Sequence, residues 1–200
     1  MEPEDTIVFD IETSNFFTTP GVGWGNYGKI EISVVGFYSY LKDAYFCLEV
    51  SEKEELMKWF AQAKTIIGFA SNRYDIPVLN LYFRRWAQDE DPELDLWRKK
   101  RIDLLEIVES ATGKRVSPSH LAELNLGEKK DRQGHEAITL FEEGRIEELK
   151  EYCLKDVRLT KELYDLYNKE RALIVPHRGS TTAKRVEFGT SHVSKQTPLF

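Results

Sequence analysis

TIVFDIET, residues 6–13, decides how this chain is built. Its β-branched residues and partial alternation of apolar and polar side chains give a strand. Side chains two apart on a strand point to the same face, so Asp10 and Glu12 project together while Phe9 and Ile11 face the other way. Two carboxylates side by side repel and raise each other's pKa unless a positive charge lies between them. A solvated polar face is the plainer reading of such a pair, and a divalent cation is the natural partner if the pair is functional.

Working outward, residues 14–29 combine Gly, Pro, Asn and aromatics and read as a loop. EISVVGFYSY (31–40) and AYFCLEV (44–50) read as two more strands, joined by a short turn, so the chain opens as an antiparallel meander. Residues 52–63 place Leu56, Trp59, Phe60 and Ala63 on one helical face. TIIGFA (65–70) is a short buried strand, and a helix follows over 75–87 with Pro77 in its first turn, where proline is tolerated. Residues 88–98 are polar and acidic. RIDLLEIV (101–108) begins as strand and passes into helix, and 111–119 is a loop. Helices are expected over 119–125, 134–143 and 145–170, then short strands at 172–176 and 185–189. Residues 1–190 form one domain with no linker or internal repeat, and 191–200 read as a flexible tail. A meander followed by alternating strand and helix implies an α/β fold: a mixed sheet, antiparallel and parallel, flanked by helices.

Two further segments place carboxylates where a fold alone has little use for them. Asp75 ends GFASNRYD (68–75), between a strand and a helix, where sites of open α/β sheets gather. Aspartate is also a favoured helix cap, which is the plainer account. Tyr152 and Asp156, in EYCLKDVRLT (151–160), are spaced i,i+4 and share one helix face. Aspartate has poor propensity inside a helix and calls for a reason. Each feature alone is unremarkable; together, in this order, they form a much rarer pattern.

That pattern resembles the three motifs of the DEDD exonucleases, in the subclass with tyrosine in the third motif. FDIET, the Tyr74–Asp75 pair and Tyr152-x-x-x-Asp156 carry the resemblance over about residues 6–167. The stretch from RIDLLEIV through GHEAITLFEEGRIEELKEYCLKDVRLTKELY is similar to bacterial exonucleases related to the proofreading domain of B-family DNA polymerases, some of which are joined to helicases. The resemblance implies a ribonuclease H-like fold and 3′→5′ hydrolysis of nucleic acid from a free 3′ end, with single-stranded DNA favoured over RNA. It implies two Mg²⁺ or Mn²⁺ ions held by Asp10, Glu12, Asp75 and Asp156. Asp10 would bridge both ions, and Tyr152 would orient the attacking water. Thr13, Phe16, Phe17, Trp24, Asn72 and Tyr74 are the candidate substrate contacts, the aromatic ones through base stacking. One departure concerns the second motif, where Ala70 stands at the place an asparagine is expected and Asn72 is separated from Tyr74 by one residue. His120 and His135 lie outside the motifs and read as structural, with His135 a minor alternative to Tyr152.

Composition narrows the alternatives. Of 200 residues, 41% are hydrophobic and 31% charged, which suits a globular chain able to bury a core. An acidic N-terminus and the lack of any ~20-residue apolar run lead us to expect a cytoplasmic location and no membrane partner. Cys47 and Cys153 lie far apart without metal-ligand spacing, so free thiols are expected and a cysteine zinc site is not. The net charge of −6 disfavours long phosphate contacts, although Arg84–Arg85, Arg98 to Arg101, Lys114–Arg115 and Lys129–Lys130 with Arg132 offer local positive groups. Weak, short-footprint binding aided by a helicase or polymerase partner follows. A structure-selective endonuclease or ribonuclease on the same scaffold, and a silent binding domain of a repair complex, are the alternatives. Oligomeric state is not legible.

Overall fold

The structure is a computed structural model that describes residues 4–88, 90–128, 135–176 and 183–187. The tail at 191–200, the basic residues Lys129, Lys130 and Arg132, and the side chain of His135 lie outside the described residues.

Strand β1 (Asp5–Thr13) is the centre of a five-stranded sheet. Strand β2 (Ile32–Ser39) pairs with it antiparallel, and β3 (Ala44–Glu49) continues the meander. On its other side β1 pairs parallel with β4 (Ala63–Gly68), which pairs parallel with β5 (Lys100–Asp103). The order is β3-β2-β1-β4-β5, the mixed sheet that the pattern of elements requires. A separate hairpin, β6 (Ala172–Pro176) with β7 (Ala183–Glu187), follows the last helix.

Strand alternation sorts the core into two layers. Ile7, Phe9 and Ile11 of β1 join Val35 and Phe37 of β2 on one face. There they meet Leu56 and Phe60 of α1 (Lys53–Gln62) and Ile76, Leu79 and Phe83 of α2 (Asp75–Trp86). The opposite face is covered by α6 (Ile146–Glu170), whose Val157 packs on Val8, Tyr38 and Ile67. A shorter helix, α5 (His135–Glu142), lies against β1 and α6. The C-terminal half of α6 closes a further cluster with α3 (Leu104–Thr112), α4 (Pro118–Leu126) and β6, built on Leu105, Leu121, Leu163 and Leu173.

Element boundaries shift where tertiary pairing overrides local pattern. The strand expected at 65–70 begins at Ala63, because Ala63 already pairs with Asp5, and ends at Gly68. The last strand, expected at 185–189, already begins at Ala183 in register with β6, and residues 188–189 lie outside the described residues. Residues 88–98 hold two short 3₁₀ turns that bury Leu94 and Leu96 beneath a polar stretch. Among the described residues, no helix is long and apolar enough to cross a membrane.

Gly36 sets the height of α6 above the sheet. A Cβ there would lie 2.7 Å from Cys153 Sγ and 3.2 Å from Val157 Cγ2. Gly36→Ala should therefore lift α6 and cost about 1–3 kcal/mol, the usual penalty of overpacking a core. Removing the sulfur in Gly36→Ala/Cys153→Ala should recover part of that loss. Urea melts of the two single variants and the double variant measure the coupling; strictly additive losses would show that the two sites do not collide.

Candidate active site

Asp10 and Glu12 project from β1 toward α6, as their spacing demands, because the odd-numbered residues of β1 fill the opposite core. Directly across from Asp10 stands Gly36, and beside Glu12 stands Val34. The pairing slips between Glu12 and Thr13, leaving Ser33 as the extra residue of β2 with its hydroxyl donating to the Glu12 carbonyl at 2.9 Å. Such bulges bend a strand and re-aim its side chains. Thr13 is consequently buried, and its hydroxyl bonds the Asn15 carbonyl at 2.9 Å and lies 3.2 Å from the Tyr74 hydroxyl.

Above the pair, α6 presents Tyr152, Cys153 and Asp156. Their level is fixed by contact with Gly36 and by the Cys153 thiol, which reaches the Asp10 carbonyl at 3.7 Å. Carboxylate oxygens of Asp10 and Glu12 and the Cys153 sulfur all lie within 4.8 Å of one another. Burial raises the Tyr152 phenol well above its ordinary range, and the negative charges of Asp156, Glu12, Asp10 and Glu136 raise it further. The tyrosine thus remains protonated at neutral pH. Glu136, in the first turn of α5, is a carboxylate near the site that only the tertiary fold reveals.

Asp75 opens α2, and the plainer reading as a helix-terminal residue is half right. Tyr74 occupies the cap position without a side-chain bond, while Asp75 itself is buried. Burial pushes its carboxyl well above the usual range, with Asp10 and then Asp103 adding repulsion. Gly68 permits the approach: a Cβ there would sit 2.5 Å from Ser71, which folds back over it. Ala70 follows in the left-handed region, φ 60°, where asparagine is far better tolerated than alanine.

The fastener of this loop is Asp103, which sequence reasoning passed over inside RIDLLEIV. Its two oxygens accept from the backbone N–H groups of Ala70 (2.9 Å), Asn72 (3.0 Å), Leu105 (3.0 Å) and Glu106 (3.2 Å). It caps α3 and pins the second-motif loop at once. The signal was available: an aspartate at the junction of a strand and a helix. Asn72 turns toward the same network, donating to Glu106 at 2.7 Å and accepting from Arg101 at 3.2 Å.

The aromatic loop forms a cluster around Phe17, whose ring meets Tyr27 at 5.1 Å, Tyr74 at 5.5 Å and Trp24 at 5.7 Å. Tyr27 ties the cluster to the second-motif loop by donating to the Arg73 carbonyl. Trp24 is 82% exposed and offers its ring to solvent. Phe16 is half-buried nearby, with its backbone N–H bonded to the Thr19 hydroxyl. The structure therefore brings Asp10, Glu12, Tyr152 and Cys153 together, with Asp75 and Asp156 at the margins of that group. His120 sits apart in the first turn of α4. Several of the proposed positive groups are engaged within the fold: Arg85 donates to the Gly28 carbonyl, Arg101 lies over the Trp97 ring, and Arg115 pairs with Glu109.

The donors favour a hard divalent cation: two adjacent carboxylates, with a third carboxyl buried behind them and short of positive charge. In metal-free protein the cost falls on Asp75. Its folded-state pKa lies above the unfolded value near ~3.9. The carboxyl is protonated and harmless below the unfolded value, and stability is lost as pH rises through the folded value. Asp75→Asn should therefore melt higher than the parent in EDTA at pH 7, with the difference closing near pH 3.5. A variant less stable than the parent at pH 7 would contradict this electrostatic account.

No curated protein matches the chain. Among solved structures it is similar to the family B DNA polymerase from the hyperthermophilic archaeon Pyrobaculum calidifontis, with a TM-score of 0.64 and 18% sequence identity. That likeness covers 83% of this chain but 25% of the polymerase chain, and at such identity it speaks for the fold alone. A family model for the RNase_H superfamily matches residues 7–168. The sheet order, the carboxylates on its central strand and this match across most of the sequence agree, and the chain belongs to the RNase_H superfamily.

Proposed function

We propose that this protein is a metal-dependent 3′→5′ exonuclease that hydrolyses nucleic acid from a free 3′ end, with single-stranded DNA the first substrate and RNA the second. The observation that supports the reading is the pairing of Asp10 and Glu12 on one strand face, close enough for their charges to act on Tyr152, with Asp75 buried where the Asp10 charge reaches it. In this reading Asp10, Glu12, Asp75 and Asp156 hold two Mg²⁺ or Mn²⁺ ions. Bound there, such ions supply an acidified water and neutralise phosphate oxygens.

The remaining roles belong to the protein's own side chains. Tyr152, held protonated, orients the attacking water by a hydrogen bond and is not its base. Thr13 and Tyr74, linked at 3.2 Å, flank the terminal nucleotide. Trp24 and Phe16 stack unpaired bases, worth about 1–3 kcal/mol per base, while Phe17 braces them from the cluster interior. Asn72 keeps the second-motif loop in register through Glu106 and Arg101. A net charge of −6, with Arg85, Arg101 and Arg115 engaged within the fold, suits a short footprint, and a helicase or polymerase partner would supply the longer track.

Incubation of 5′-labelled single-stranded DNA and RNA with Mn²⁺ or Mg²⁺ tests this reading. It should give a ladder shortening from the 3′ end, abolished by EDTA and by a blocked 3′ end. Asp10→Ala should lower the rate by more than about 100-fold, and Tyr152→Phe by about 100-fold at saturating metal. Internal cleavage of a 3′-blocked strand would instead favour an endonuclease. Binding without cleavage under both metals would favour a silent binding domain.

A further inference from the structure

Cys47 and Cys153 are remote in sequence, yet the sheet register brings them together. Asp10 lies opposite Gly36, and Gly36 lies opposite Cys47, so the three residues form one row across β1, β2 and β3 facing α6. The empty place above Gly36 is taken by the Cys153 sulfur, 2.7 Å from where a Cβ would stand. Cys153 thus sits between Asp10 on one side and Cys47 on the other, and the two cysteines share one packing cluster with Val34, Leu149 and Tyr152. A hydrogen bond to Cys47 and complete burial hold the Cys153 thiol well above its ordinary pKa, so it is a neutral neighbour in the free protein. Both cysteines are free.

We propose that Asp10, Glu12 and Cys153, backed by Cys47, form a mixed oxygen–sulfur site for a thiophilic divalent cation such as Zn²⁺, and that its occupation blocks the nuclease. The blocking rests on the function proposed above; the binding does not. Mg²⁺ and Mn²⁺ prefer oxygen donors and leave the sulfur unused, whereas Zn²⁺ takes thiolate and carboxylate together and binds a given donor set more tightly than Mn²⁺. With Zn–S near ~2.3 Å and Zn–O near ~2.1 Å, neighbouring donors of a tetrahedral ion lie about 3.6 Å apart. The present donor atoms all lie within 4.8 Å of one another, so binding has to draw them together by about 1 Å. On binding, the thiol proton leaves to solvent, and the ion neutralises the crowded carboxylates. A cation anchored by sulfur is displaced toward α6 and takes Asp10 and Glu12 away from the hard ions. The sequence spacing that excluded a cysteine zinc site was a statement about local motifs; the site arises from three strands and a helix.

Cobalt reports the ligands directly, without any activity measurement. Titration of the full chain with Co²⁺ should produce a near-ultraviolet sulfur-to-metal charge-transfer band that saturates at one equivalent and is erased by Zn²⁺. The band should be lost in Cys153→Ala and shifted or weakened in Cys47→Ala. Cys153→Ser, closer in size, serves as the second variant if alanine destabilises the fold. In parallel, the Zn²⁺ concentration that halves Mn²⁺-supported cleavage should rise about tenfold or more in the Cys153 variants. Co²⁺ bound to the parent protein without a charge-transfer band would overturn the site. So would a band or a Zn²⁺ sensitivity unchanged in both Cys153 variants. Should no cleavage occur at all, the exonuclease reading fails and the cobalt spectrum still decides the sulfur site.

Discussion

Helix α6 can approach strands β1 and β2 closely only because residue 36 has no side chain. That contact determines how far Tyr152 and Asp156 stand from Asp10 and Glu12, since all four are carried on stiff elements and none on a loop. The helix gains its hold from apolar contacts on either side of the site, Leu149 toward α5 and Val157 and Leu163 further along. The polar site is therefore framed by packing that does not depend on it. Rigid elements of this kind place functional groups more accurately than loops do.

The second organising constraint is electrostatic. Asp75 is buried near Asp10 and Asp103, and burial alone already disfavours its charge. Asp103 meets the same difficulty differently, by accepting four backbone N–H groups that draw its pKa back down against burial. Asp103 has four backbone N–H groups to offset its burial, whereas at Asp75 a bond from its own backbone N–H works against burial and two neighbouring carboxylates. Asp103 shapes the loop, and Asp75 is where a cation would be stabilising. Functional sites commonly retain such locally unfavourable groups at the expense of stability.

Much of this was legible in the sequence, for identifiable reasons. Asp10 and Glu12 could be placed on one face because strand periodicity is strict. Tyr152 and Asp156 could be paired because the i,i+4 relation in a long helix leaves little choice. The mixed sheet followed from a meander giving way to strand–helix alternation. What stayed hidden depended on tertiary register. The role of Asp103 requires knowing that β5 lies beside β4, so that its carboxylate reaches the loop after Gly68. Ser33 as a bulge, Glu136 as a neighbour of Tyr152, and the meeting of Cys47 with Cys153 have no local signature at all. Ala70 is instructive in the other direction. The sequence marked it as a departure, and the left-handed backbone there supplies a reason why asparagine would suit the position.

We propose that four carboxylates on three separate elements converge to hold cations. The most direct measurement is anomalous diffraction from crystals grown with Mn²⁺ and a short single-stranded oligonucleotide. Manganese peaks should appear bounded by Asp10, Glu12, Asp75 and Asp156, with the 3′-terminal phosphodiester beside them and the Tyr152 hydroxyl facing the attacking water. Manganese absent from that position under saturating metal, or the 3′ end bound elsewhere on the chain, would contradict it.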